Sequence, residues 1–112
     1  MNVRFSEGAL RCRITRAELE QLLSGRAIAL EVALPRAHVF RVSVRPGAVG
    51  DWQLDSDPTG VWLTIPRADL EALAANLPAR EGLERSFDTS AGGAVQVSFE
   101  VDLRDRGATR AQ

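Results

Sequence analysis

The sequence predicts an α+β domain made of duplicated ββαββ halves, which form a curled antiparallel sheet or barrel with two short helices packed on or in it. Three observations lead there. A ten-residue segment recurs, since Ile14–Leu23 reads ITRAELEQLL and Ile65–Ala74 reads IPRADLEALA, with six positions identical. Short runs on either side of each copy alternate apolar and polar residues with period two, the mark of a half-buried strand. Glycine- and proline-bearing turns separate those runs closely enough to imply antiparallel hairpins. Two copies are too few for a solenoid, so a pseudo-twofold arrangement is expected.

Taken in order, Val3–Phe5 is a short strand candidate, ended by the turn Glu7-Gly8. Leu10, Cys12 and Ile14 then alternate with Arg11 and Arg13. Thr15 and Glu18 have the spacing of a capping box, in which hydroxyl and carboxylate each satisfy a free backbone N–H. Leu19, Leu22 and Leu23 share one face of the helix that follows, and Gly25 ends it. Ile28, Leu30, Val32 and Leu34 form the next apolar phase. After Pro35-Arg36-Ala37 comes Phe40, Val42 and Val44, alternating with Arg41, Ser43 and Arg45.

The second half repeats the order. Trp52–Leu54 is a short candidate strand; Asp57-Pro58-Thr59-Gly60 is a turn; Val61, Leu63 and Ile65 alternate with Trp62 and Thr64. Pro66 sits where the second helix begins, a position that tolerates its missing N–H. Leu70, Leu73 and Ala74 face one side, and Pro78 limits the helix. Residues 76–88 are weakly patterned, with Phe87 the one clear core anchor. Val95, Val97, Phe99, Val101 and Leu103 make the most regular strand of the chain. A single domain over 1–104, with halves 1–48 and 49–104, and a flexible tail over 105–112, is the expected organisation.

Composition narrows the function classes. The 112 residues carry fourteen basic groups, all arginine, against fifteen acids, for a net charge of −1. Residues 1–50 hold eight arginines and four acids, whereas residues 51–112 hold six arginines and eleven acids. Such a split suits pairing between halves or between copies, and not a general nucleic-acid binder. No stretch is long and apolar enough for a membrane span, and the first residues lack a basic region followed by an apolar one, so no secretory signal is expected. With Cys12 the one cysteine, a disulfide framework and a cysteine zinc site within the chain are excluded. A cytoplasmic location is the expectation.

Met1-Asn2-Val3-Arg4 followed by Leu10-Arg11-Cys12-Arg13-Ile14-Thr15-Arg16-Ala17-Glu18-Leu19 resembles the opening of a family of short bacterial proteins of unknown function. The shared feature is a strand L-R-x-R-[IL]-T running into a short helix, over roughly the first twenty residues. The resemblance implies a small bacterial protein of that family and brings no activity or site with it.

No catalytic motif assembles at recognisable spacing, and no cofactor or metal site is expected. His38 reads as a strand-end histidine and Cys12 as a small buried hydrophobe. The polar strand faces carry the candidate binding residues Arg11, Arg13, Arg41, Arg45, Glu100 and Asp102. Arginines and carboxylates alternating inside a barrel bind phosphate in triphosphate-processing tunnel enzymes, but the lysines and E-x-E-x-K pattern of those enzymes are absent. Trp62 falls on a polar phase, and an exposed indole marks an interface unless something covers it. Two functions follow as expectations. One is a non-enzymatic module that self-associates or binds a protein partner. The alternative is a small-ligand or phosphoester-processing protein built on the arginine and carboxylate cluster.

Overall fold

A computed structural model describes residues 1–48, 50–78 and 82–103. The expected tail at 105–112 lies outside the described residues. The order of elements is β1 (Asn2–Ser6), β2 (Ala9–Ile14), α1 (Arg16–Leu23), β3 (Ile28–Leu34), β4 (His38–Gly47), β5 (Gln53–Asp57), β6 (Gly60–Pro66), α2 (Arg67–Ala75), β7 (Leu83–Asp88) and β8 (Ala94–Val101). The two ββαββ halves expected from the recurring segment are therefore present. The weakly patterned stretch ends in β7, where Leu83 and Phe87 pack half-buried against the core.

Local chemistry explains the helix ends. The Glu18 N–H donates to Thr15 Oγ1 at 3.0 Å, and the Thr15 N–H donates to Glu18 Oε1 at 2.9 Å, completing the capping box. At the other end Gly25 takes φ +95°. The Arg26 N–H then reaches Gln21 O at 2.9 Å and the Gly25 N–H reaches Leu22 O at 3.0 Å, a Schellman closure. Helix α2 starts at Pro66 without a side-chain cap. Leu19, Leu22, Leu70 and Leu73 bury the inner faces of the two helices, which pack on one another and on the strands. Arg67 at the start of α2 donates to the Leu23 carbonyl at the end of α1, satisfying a free acceptor where the helix dipole favours a cation.

The sheets depart from expectation in one respect. All four hairpins are antiparallel, but they join into two open four-stranded sheets, β1-β2-β8-β7 and β3-β4-β6-β5. Of the expected alternatives, a curled antiparallel sheet or a barrel, the barrel does not form, and the strands divide between two mixed sheets. Each sheet takes one hairpin from each half, and the central pairs β2–β8 and β4–β6 run parallel. The cause is the helix crossover. It carries the chain from one sheet to the other, so the inner edge of each hairpin must find its partner in the opposite half. The registers of the two sheets correspond throughout. Asn2↔Arg13 recurs as Gln53↔Thr64, Ile28↔Val44 as Leu83↔Phe99, and Ala9↔Gln96 as Gly60↔Arg41. These correspondences give every strand residue a counterpart in the other half.

One core joins everything. Cys12, Ile14, Leu22, Val44, Leu63, Ile65, Leu70, Val97 and Phe99 are sealed from solvent at its centre. The helices follow β2 and β6, so they close the end of the sheets where Ile14 and Ile65 lie. Towards the opposite end the burial fades. Along β3, Ile28 is buried, Leu30 half-buried, and Val32 and Leu34 are each 45% exposed.

Candidate functional site

The open end concentrates the exposed apolar residues. Among the described residues Phe5, Val32, Leu34 and Val39 are the large hydrophobics left in water, and all four lie on β1, β3 or the start of β4. Alternation places Val32, Leu34 and Phe40 on the inward phase of the hairpin, which runs on past the core it was patterned for. Its turn at Pro35–Ala37 holds Arg36 and Ala37 at positive φ, 66° and 63°, without a glycine. Phe5 reaches across from the first sheet and meets Phe40 of the second edge-on, with ring centroids 6.3 Å apart and planes at 70°. The two sheets thus touch through side chains at this seam, where a barrel would have used backbone hydrogen bonds.

The corresponding seam on the other side is open. The counterparts of Phe5 and Phe40 are Ser56 and Val95, by the register equivalence above. Between them opens a cleft of about 720 Å³. The turn at Glu7-Gly8, the strands β5 and β6 and the β7–β8 turn form its walls, with Phe5, Leu10, Leu54, Val61 and Val95 as the apolar lining. Phe87, the counterpart of Val32, packs against the core and is not part of the lining.

The polar faces carry the residues singled out from the sequence, and they fall into two groups. On the outside of the first sheet, Glu100 receives both Arg11 and Arg13: Arg13 Nε donates at 2.8 Å and Arg11 at 3.2 Å to each carboxylate oxygen. Arg4 stands directly opposite Arg11 in the ladder, and it was not anticipated from sequence. The hairpin turn at Glu7-Gly8 would have revealed it, because that turn sets the β1–β2 register. Asp102 follows β8, and its backbone N–H donates to Ile14 O at 2.7 Å.

Arg41, Arg45 and Trp62 belong to the outside of the second sheet. Arg41 pairs with Glu31 on the neighbouring strand, and Arg45 Nε donates to Thr64 Oγ1 at 3.1 Å. Trp62 is half-buried between Ser43 and Asp55 in register. The four arginines therefore do not converge. Two face out from each sheet: Arg11 and Arg13 share Glu100, whereas Arg41 and Arg45 bond to Glu31 and Thr64. These are solvated cross-strand pairs of the kind that contribute little to stability.

Three further titratable groups have settings that bear on chemistry. Cys12 is fully buried, and desolvation pushes its thiol from 9.0 up to about 11. A protonated thiol inside the core is no nucleophile. His38 is exposed at the start of β4. The Thr59 hydroxyl and backbone N–H, at 2.6 and 2.7 Å from Asp57 Oδ1, hold that carboxyl below its usual range in the β5–β6 turn. Among the described residues no three of His, Cys, Asp or Glu gather closely enough to hold a metal ion. No described helix is long and apolar enough to cross a membrane.

Fold and surfaces together define a small α+β protein of two interlocked mixed sheets, closed by helices at one end and apolar at the other. The chain belongs to a family described as a family of unknown function, DUF7009, whose model matches residues 1–106. No curated protein and no solved structure matches it.

Proposed function

We propose that this protein is a non-enzymatic self-association module, in which β3 of one copy pairs antiparallel with β3 of a second. The observation that carries the reading is the contrast among its four sheet edges. β1 presents Arg4; β5 presents Asp55 and Asp57; β7 presents Glu84, Arg85 and Asp88. β3 is the longest of the four at seven residues, and Glu31 is its one charge. Charges on an edge strand discourage pairing with another chain; β1 and β3 carry one each, and β3 is the longer and the more apolar, with six of its seven residues hydrophobic.

The proposed occupant is a second copy because the strand complements itself. A twofold axis perpendicular to the sheet keeps the inward faces of both copies on one side. With the axis at Ala33, Val32 of each copy stands opposite Leu34 of the other, and all four side chains leave water together. Glu31 enters already neutralised by Arg41, so the axis brings no uncompensated carboxylates together.

Sedimentation velocity over a range of concentrations tests this. A monomer–dimer equilibrium is expected, and the double substitution Val32→Lys with Leu34→Lys should leave a folded monomer. A wild-type chain that stays monomeric up to about 1 mM sinks the proposal. So does a double variant that dimerises as well as wild type.

A further inference from the structure

The open seam is a second surface, independent of β3. The two seams are related position by position, and they differ in how they are filled. At one, Phe5 of β1 and Phe40 of β4 meet ring against ring. At the other, Ser56 of β5 and Val95 of β8 stand in the same places and the cleft of about 720 Å³ lies beside them. A volume of that size falls within the range of small-molecule sites, which are mostly apolar with a few polar groups to orient the ligand. The cleft has that composition. Leu10, Leu54, Val61 and Val95 supply the apolar wall, and Ser6, Ser56 and Thr89 supply hydroxyls.

Phe5 makes the case for a ring. It is 57% exposed although it belongs to an inward phase, and it lines the cleft while its edge contact with Phe40 holds it in place. An exposed, positioned aromatic face on the wall of an apolar cleft favours offset stacking or edge contact with another ring. Charge narrows the choice further. Glu7 is the one ionisable residue of the lining, so an anionic ligand is repelled and has no cation to meet there.

We propose that the open seam between β5 and β8 binds a small aromatic molecule without negative charge, whose ring occupies the place that Phe5 and Phe40 fill at the closed seam. Phe5 offers the stacking surface. Ser56 offers the space that a phenylalanine takes up in the other half, and the hydroxyls at the rim accept or donate to a polar substituent.

Indole is a suitable probe, being neutral, aromatic and equipped with one N–H donor. Titration into ¹³C-methyl-labelled protein should shift the methyl resonances of Leu54, Val61 and Val95, with intermolecular NOEs from the indole ring to the same methyls. Benzoate at equal concentration should shift them at least about tenfold less. Ser56→Phe, which restores the missing ring, should raise the melting temperature and weaken indole binding at least about tenfold. Should that variant not fold, Ala94→Leu narrows the cleft from an exposed rim position and should weaken indole in the same way. No saturable shift with indole overturns the proposal. NOEs confined to methyls elsewhere, or undiminished binding by both variants, overturn it equally.

Discussion

The two halves of this chain meet the same geometric demands with different residues. At the first helix entry, Glu18 accepts from Thr15 through one oxygen and from the Met1 amino group, 2.8 Å away, through the other. At the second, Asp69 holds the corresponding position. Pro66 stands in place of the capping threonine, and the buried Trp52 donates its indole N–H to Asp69 at 2.7 Å. Arg85 lies over the Trp52 ring, 5.5 Å from its centroid. At the hairpin tips, Gly92 supplies a positive φ in the second half, while Arg36 and Ala37 must adopt one in the first. Along the central parallel pairs, Ala9 has a side chain where Gly60 has none. A Cβ at Gly60 would stand 2.2 Å from Arg41 O. The lesson is that the fold asks for roles, such as a carboxylate at the third helical position or a donor beneath it. Residue identity is left free to diverge.

Breaking that comparison should cost most at Trp52. Trp52→Ala removes a side chain only 6% exposed and should destabilise by about 3–5 kcal/mol in urea unfolding. Trp52→Phe keeps much of the packing while removing the hydrogen bond to Asp69 and part of the ring under Arg85. It should cost less than half as much. The central pairs come next. Gly60→Ala forces the strand off Arg41 and should cost about 1–3 kcal/mol, as overpacking does. Ala9→Gly at the counterpart should cost only about 0.5–1 kcal/mol, from chain entropy. Equal costs at the two sites would mean that the close approach of β4 to Gly60 is not what separates them.

Smaller effects sharpen the picture. Thr15→Ala should cost about 1 kcal/mol by removing the cap, and Pro66→Ala should not reproduce that loss because no cap is made there. Ala37→Gly should stabilise by about 1 kcal/mol, since it relieves a left-handed residue at a tip whose counterpart already uses glycine. The smallest effect at neutral pH belongs to Cys12. Its folded pKa is raised, so its contribution to stability is complete below pH 9 and is lost as pH rises towards about 11. Equilibrium unfolding of Cys12→Ser beside wild type across that window checks the sign. Wild type should lose stability there and the serine variant should not.

Much of this architecture was legible residue by residue. The phase of Leu10, Cys12 and Ile14, the Thr15–Glu18 box, Gly25, and the recurrence of Ile14–Leu23 at Ile65–Ala74 rest on local physics. Alternation follows from one wet and one dry face, and turns and caps follow from φ and from free N–H groups. These features determined the elements, their order and the two-half plan. Three things were decided only in the tertiary structure. The parallel joins β2–β8 and β4–β6 depend on contacts between residues far apart in the chain, and local pattern carries no information about them. The division of Arg11 and Arg13 from Arg41 and Arg45 follows from those joins. The exposure of Phe5, Val32 and Leu34, together with the open seam at Ser56 and Val95, depends on where the core runs out. Alternation names the face a side chain takes. Whether anything lies opposite that face is settled by the other sheet.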